Sequence, residues 1–367
     1  MKLGLEMASL LERVRASYRS LAVLNFDRTR EILAEWNRRV PYVAPYYAVK
    51  AFPHPDFVKF LGDCGLGFDV ASQSEIQLVK QVAPQADLVF SNPTKSAADI
   101  QYAQQQGLGL LVVDSVEETA KVHREFPTAR LLVRLMADDS SAKFKFNVKF
   151  GADAASVASI LEYVARHKLL FEGLAFHVGS ESQDMQCFGR TLRSLFSLCD
   201  EVGLSLDQVR LIDIGGGLLW PSQLQELDSE LEPFKERIEK HQIRLIAEPG
   251  RLLCGKALDL YTKVVAVRKR VVDGKTKYLV TINDGVFHSL ICVQYDEFYE
   301  VVPLYTADEE VDVVLFGQTC DATDTVAELR LPKPQEGDVL LFKEMGAYSL
   351  SISGGQFNGF EGAVVTT

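Results

Sequence analysis

The chain has 367 residues, 47% of them hydrophobic and 24% charged, which suits a soluble protein of one large and one smaller domain. Its formal net charge of −11 disfavours nucleic acid and anionic membrane surfaces as partners, because both need clustered Lys and Arg. No apolar run approaches the roughly 20 residues of a membrane span.

The N-terminus, Met1-Lys2-Leu3-Gly4-Leu5-Glu6, has no signal-peptide pattern, since Glu6, Glu12 and Arg13 interrupt any apolar stretch. A cytoplasmic protein with reduced thiols is expected. The six cysteines (64, 187, 199, 254, 292 and 320) show no CxxC pair and no metal-ligand spacing, so most read as small core fillers. Residues 21–26 are strand-like. From about residue 43, short apolar runs alternate with amphipathic stretches: 46–49, 68–70, 88–90, 109–113, 130–135, 173–177, 209–214 and 244–247. Between them, 74–82 and 155–167 carry apolar residues at helical steps, and Asp114-Ser115 before Glu117-Glu118 is a helix start of the capping-box type. Eight such repeats imply parallel strands with right-handed crossovers, either an open doubly wound sheet or, better matched by the number eight, a closed (β/α)8 TIM barrel.

After Arg251 the texture changes to short strands split by turn signals such as Asp273-Gly274: 261–272, 277–283, 311–316, 326–331, 338–342 and 363–367. That predicts a C-terminal antiparallel β-sheet domain, which 21–26 would join. The expected division is a barrel over 26–257 and a sheet domain from 1–25 and 258–367.

In a barrel of this kind the active groups sit at the C-terminal strand ends, so the polar residues closing each run are the candidates: Lys50, Asp69, Arg134, His177, Gly215-Gly216-Gly217 and Glu248 to Arg251. Lys50 closes Tyr46-Tyr47-Ala48-Val49-Lys50. An ammonium at a dry strand end needs a carboxylate, a shifted pKa or a covalent partner, unless it snorkels out to water. One covalent use is a Schiff base to pyridoxal 5′-phosphate (PLP). In such a site Glu248 would hold the pyridine nitrogen protonated; otherwise it caps a helix or pairs with Arg251. Arg251 and the glycines suit a phosphate, though a three-glycine turn is equally a plain loop, and the spacing is not that of a dinucleotide fingerprint. His177 is either a satisfied core group or a ring that stacks on the cofactor, with Ser180 donating to its phosphate. Asp69 either accepts a hydrogen bond near the lysine or caps the next helix. In the second domain, Tyr295-Asp296 and Cys320-Asp321 set acids beside a phenol and a thiol; they suit a cationic substrate tail or are ordinary turn residues. Tyr348 offers a further phenol for the phosphate.

Taken together, the chain resembles the fold-type III PLP-dependent decarboxylases, the group of eukaryotic-type ornithine, diaminopimelate and biosynthetic arginine decarboxylases, with the nearest likeness to those acting on ornithine. The pieces are YYAVK at 46–50, GFDVAS at 67–72, SNP at 91–93, VKFGA at 148–152, FHVGS at 176–180, DIGGG at 213–217, EPGR at 248–251, NDGV at 283–286, YD at 295–296, TCD at 319–321, MGAYS at 345–349 and FNGF at 357–360. Their order across nearly the whole chain is what makes the likeness specific. It implies an alanine-racemase-like barrel with PLP at its mouth, a sheet domain, and a homodimer with shared active sites. It makes Lys50 the Schiff-base lysine, Glu248 the pyridinium partner and His177 the stacking ring. Ser180, Gly217, Gly250, Arg251 and Tyr348 match the phosphate cradle. Cys320 would assist protonation and Asp321 hold the distal amine, both from the partner subunit; Asp296 would share that amine, Phe357 would wall the pocket, and Lys149 with Asp324 would pair across the interface.

The implied activity is decarboxylation of a basic L-amino acid, ornithine to putrescine in polyamine biosynthesis. Three segments depart from the family's pattern: Leu218-Leu219 after the glycines, Phe287 to Ile291 after NDGV, and Glu297 to Glu300 after Asp296. They border the substrate tail, so lysine, arginine or an aminocarboxypropyl group on a larger molecule also fits the chemistry. A catalytically silent regulatory homologue would lack reason to retain Lys50, Glu248, Arg251 and Cys320. An amino-acid racemase of the same fold would place an arginine where Glu248 stands. Asp296 and Asp321 carry the wrong charge for the second carboxylate of diaminopimelate.

Overall fold

The computed structural model describes residues 2–367 apart from Asp273 and Asp296, and the chain divides into two compact units, Arg30–Leu253 and the flanking Met1–Thr29 with Cys254–Thr367. In the first unit, Val43–Ala48, Gly67–Val70, Leu88–Phe90, Leu110–Val113, Arg130–Arg134, Leu170–Ala175, Leu211–Asp213 and Arg244–Ala247 pair in parallel with their neighbours in sequence, and the last pairs the first. This closed barrel is built on the eight predicted runs. Its strands are buried on both faces, which is why they read as continuous apolar stretches. Tyr46, Val89, Leu110, Val112, Leu132, Ala175, Leu211 and Ile246 form a buried cluster. Each buried Val, Leu or Ile among them contributes about 1.5–3 kcal/mol by leaving water.

Side-chain caps start several crossover helices and so place the strand ends. Ser72 accepts from the Glu75 N–H, Ser96 from Asp99, Ser115 from Glu118 and Asp153 from Ser156. The capping box expected at Ser115 is only half formed. The Glu118 carboxylate turns instead to Lys95, meeting both its amide N–H and its ammonium at 3.1 Å. Lys95 is fully buried, and burial pushes its amine down to about 8 against the pull of Glu118.

The second unit holds an eight-stranded sheet that is mixed, not antiparallel throughout as predicted. Leu258–Val272 pairs antiparallel with Lys275–Ile282, Val339–Phe342 and Leu21–Leu24. Lys275–Ile282 runs parallel to Glu310–Phe316, and Leu21–Leu24 parallel to Val364–Thr366. The long connection over 283–309 makes the first of these possible, since a parallel pair needs a crossover and not a hairpin. A helix absent from the sequence reading, Lys2–Ala16, lays Leu10, Leu11 and Val14 against Leu21, Tyr261, Val339 and Leu341.

The division also falls a few residues from where the sequence placed it. Asn25 donates its N–H to Ala257 O at 2.7 Å, and Arg28 forks onto Asp259 at 3.0 and 2.9 Å, which ties both edges of the expected barrel into the sheet unit. Asp273 of the expected turn and Asp296 of the expected substrate pair lie outside the described residues. Among the described residues no helix is long and apolar enough to cross a membrane.

Candidate active site

Parallel registry brings the charged groups to one rim. Arg134 lies beside Ala175, Ala175 beside Asp213, and Asp213 beside Ile246, so one lateral row crosses four strands. Across the barrel, Asp69 sits between Ala48 and Val89. Lys50 follows on a single 3-10 turn, Val49–Ala51, just past the end of the first strand.

That turn carries the Lys50 Nζ to 3.5 Å from Asp69 Oδ2. Asp69 is 2% exposed, and its other oxygen accepts from the Ser91 hydroxyl. The lysine, more than a third exposed at its side chain, is therefore neither a free surface charge nor a helix neighbour; a buried carboxylate aims it at the mouth. Asp69 is the lysine's partner and not a cap, because Ser72 does the capping.

Glu248 is buried, and its Oε1 has no hydrogen-bond partner among the described residues. A buried carboxyl oxygen without a donor is costly, and a native structure keeps one where something else supplies the donor. Burial pushes the Glu248 carboxyl well above its ordinary range, and the charges of Asp213 and Asp69 add to this. Asp213 is pushed up too, again chiefly by burial. The Gly215 N–H donates to Asp213 at 2.8 Å and favours its ionised form. Glu248 Oε1 receives no such bond, so the proton that this pair retains rests on Glu248.

His177 and Arg134 share a small cavity with Ser91, Asp213 and Glu248. Burial holds His177 far below 6.5, helped by Arg134 and Lys50. Its Nδ1 accepts from the Gly179 N–H at 3.1 Å, which leaves the proton of the neutral ring on Nε2. The Phe146 ring meets it edge-on at 4.8 Å. Arg134 is pulled down by burial and opposed by Glu248, Asp114, Asp213 and Asp69.

The glycines have steric reasons. A Cβ on Gly216 would stand 2.6 Å from Glu248 O and 3.2 Å from His177 Nε2, so this residue lets the two functional strands approach. Gly217 has φ +110°, and a Cβ there would meet Gly179 O at 2.7 Å. The turns at 179–181 and 215–217 are thus packed backbone to backbone, beside Ser180 on the short strand Ser180–Ser182. Arg251, next to Gly250 after the last barrel strand, points Nη2 at Glu181 Oε1, 3.1 Å away.

The remaining candidates belong to the sheet unit. Cys320 is exposed, with its N–H and Sγ 3.1 and 3.4 Å from Asn358 Oδ1. Asp321 is exposed, and the Thr323 hydroxyl and amide hold its carboxyl below the usual range. Phe357 packs on Phe287 with ring centroids 4.4 Å apart, and Tyr295 is about half exposed. Tyr348 has φ +52°, and its carbonyl accepts from the Cys292 thiol at 3.0 Å. Asp324, expected to face Lys149 of another subunit, is 1% exposed and gives its oxygens to Val286 N–H and to the Thr319 N–H and hydroxyl of its own chain.

Four groups at the barrel mouth were not singled out from sequence: Ser91, Asp213, Glu75 and Glu181. Ser91 closes its run as the other candidates do, and Asp213 is a charge inside an apolar stretch, so both left a signal. Glu75 reads as a helix-start residue, and nothing in the sequence around Glu181 distinguishes it.

Residues 27–255 match the family described as pyridoxal-dependent decarboxylase, pyridoxal binding domain. The chain is similar to the ornithine decarboxylase of Mus musculus, 33% identical over 353 residues that span 89% of this chain and 75% of that one. It is equally similar to antizyme inhibitor 2 of Xenopus laevis, at 33% over 354 residues, 88% of this chain and 75% of that one. Among solved structures, the arginine decarboxylase of Paramecium bursaria Chlorella virus matches with a TM-score of 0.89 and 27% identity, covering 98% of each chain.

Proposed function

The chain belongs to the pyridoxal-dependent decarboxylases, and from that premise we propose that its substrate is L-ornithine and its product putrescine. It is a PLP-dependent amino acid decarboxylase. The observation that carries the site assignment is the orphaned, buried Oε1 of Glu248, set in one cavity with Arg134 and His177. A carboxyl oxygen without a donor fits a pyridinium N–H, so the residues present fit the cofactor.

In this reading Lys50 bonds the cofactor aldehyde, Glu248 meets the ring nitrogen and His177 lies against the ring face. Ser180, Gly215 to Gly217, Gly250 and Arg251 hold the phosphate. Bound there, PLP supplies an electrophilic carbon for the substrate amine and a ring that takes up the electrons left when CO2 departs. The chain's own residues do the rest. Asp69, fixed by Ser91, keeps the Lys50 Nζ directed at the mouth. Glu248 offers its donor-free Oε1 to the ring nitrogen, and its carboxyl, pushed up by burial, can share a proton with it. His177 stays neutral and rigid, so its ring offers a flat face without a competing charge. The buried Phe176 and Val112 beside them keep water from the reacting carboxylate, where a dry surrounding favours loss of neutral CO2.

The choice of ornithine is supported by the likeness to the mouse enzyme and by Asp321, an exposed carboxylate kept ionised by Thr323, which suits a distal ammonium. We place Asp321 and Cys320 at the active site of a second copy, in a homodimer. Amine products measured by mass spectrometry with PLP present, over ornithine, lysine, arginine, 2,4-diaminobutyrate and diaminopimelate, test the substrate. Dominant putrescine supports the proposal; dominant cadaverine or agmatine overturns ornithine while leaving the family's chemistry standing. Borohydride trapping should place the cofactor on Lys50, and an adduct that survives Lys50→Ala overturns the site assignment.

A further inference from the structure

Glu181 stands out among the residues at the barrel mouth for its backbone and for its partners. Its φ of +56° lies in the left-handed region, which a residue with a Cβ seldom adopts and which costs about 1 kcal/mol or more. It sits on Ser180–Ser182, which pairs antiparallel with the earlier strand Ala142–Phe144 through Ser182 and Ser180, the residues on either side of it. The result is that its carboxylate meets Arg251: Oε1 is 3.1 Å from Nη2, with both side chains largely buried. The second oxygen is 3.9 Å from the ammonium of Lys143, which is more than a third exposed.

We propose that Glu181 is an internal anion that occupies Arg251 and must yield it to the cofactor's phosphate, so that this residue sets how strongly the site favours PLP over pyridoxal. The inference rests on the reading that gives Arg251 to the phosphate. A guanidinium that is to bind phosphate is a poor neighbour for its surroundings until it has an anion, because a partly buried cation needs a counter-charge. Glu181 provides that charge from within the chain. When the phosphate arrives, two anions compete for one fork, and the carboxylate has a second cation in Lys143, whose ammonium is already 3.9 Å from its other oxygen. Phosphate binding is therefore an exchange: Arg251 trades carboxylate for phosphate while Glu181 passes to Lys143. The exchange weakens phosphate capture relative to a cradle with no carboxylate in it, and it acts on the phosphate alone.

The test is an equilibrium titration of the apoprotein with PLP and, separately, with pyridoxal, followed by absorbance and intrinsic fluorescence, with no turnover involved. Glu181→Gln should bind PLP about tenfold more tightly, the scale of one partly buried ion pair, and pyridoxal as the wild type does. Glu181→Asn, a residue at ease in left-handed backbone, should do the same and guards against a folding defect in the first variant. Lys143→Ala should weaken PLP binding and leave pyridoxal unmoved, since the displaced carboxylate loses its second site. Unchanged or weaker PLP binding in both Glu181 variants overturns the inference, as does an equal shift for PLP and pyridoxal, which would mark Glu181 as a structural residue. Arg251→Gln separates the premise: it should weaken PLP binding and leave pyridoxal unmoved, and if the preference for PLP over pyridoxal is undiminished, the assignment of Arg251 to the phosphate falls and the inference with it.

Discussion

Glu75 offers the sharpest quantitative test of the electrostatics around Lys50. It is the third residue of the helix Gln73–Val82; its N–H donates to the Ser72 hydroxyl at 3.3 Å, and its carboxylate accepts from the Ala71 N–H at 2.6 Å. Burial pushes its carboxyl up from 4.5 to about 7, against the Ala71 amide and Lys50, which pull it down, and with Asp69 adding like charge. Because the folded chain holds this proton more tightly than the unfolded one, Glu75 supports folding fully below pH 4.5 and withdraws that support as the pH climbs towards 7. At 1.36 kcal/mol per unit, the ionisable residue costs the fold about 1 kcal/mol at about pH 5 and about 3 kcal/mol at about pH 8. Glu75→Gln keeps an acceptor for Ala71 and removes the titration. Urea unfolding of both apoproteins at those two pH values should therefore show the variant gaining on the wild type by roughly 2 kcal/mol between them. A difference between the two proteins that does not change with pH would refute the reasoning, because the effect would then lie in packing and not in charge.

Two further outcomes follow from the geometry. The infrared spectrum of the wild-type apoprotein at neutral pH should contain the carbonyl band of a protonated carboxyl that Glu248→Gln removes; a band unaffected by that change would put the shared proton on Asp213 instead. Mixing Lys50→Ala with Asp321→Ala, each inactive alone, should restore about a quarter of wild-type activity if random dimers combine one intact site from two copies, whereas no recovery would overturn the shared site.

The barrel was legible because its strands are buried on both faces: 88–90 and 244–247 read as unbroken apolar runs, and Leu88–Phe90 and Arg244–Ala247 are strands to the residue. The sheet unit was harder, and for a physical reason. Alternation along a strand tells which face is buried but not which strand lies beside it or in which direction. So the sequence marks Lys275–Ile282 as a strand but carries no sign that Glu310–Phe316, reached through a long connection, lies parallel to it. The helix Lys2–Ala16 leaves a weak signal because, among the described residues, its stripe on the sheet is short: Leu10, Leu11 and Val14.

At the mouth, asking which polar residue closes each apolar run found Lys50, Asp69, Arg134, His177 and Glu248, since parallel strands end on one rim. The same question applied to Ser91 would have found the hydroxyl that holds Asp69. Asp213 escaped it by lying one residue before the end of its run, where Ile214 takes the closing place; yet a carboxyl within an apolar stretch has to be buried, and a buried acid has to find a proton or a donor. It finds the Gly215 N–H and leaves the proton to Glu248. Glu181 is different in kind. It meets Arg251 from a left-handed φ on a strand paired with the distant Ala142–Phe144, and a residue other than glycine gives no sign of such a conformation in the sequence. Motifs therefore locate the groups proposed to meet the cofactor, whereas the groups that set the charge of those residues emerge only when distant strands are brought side by side.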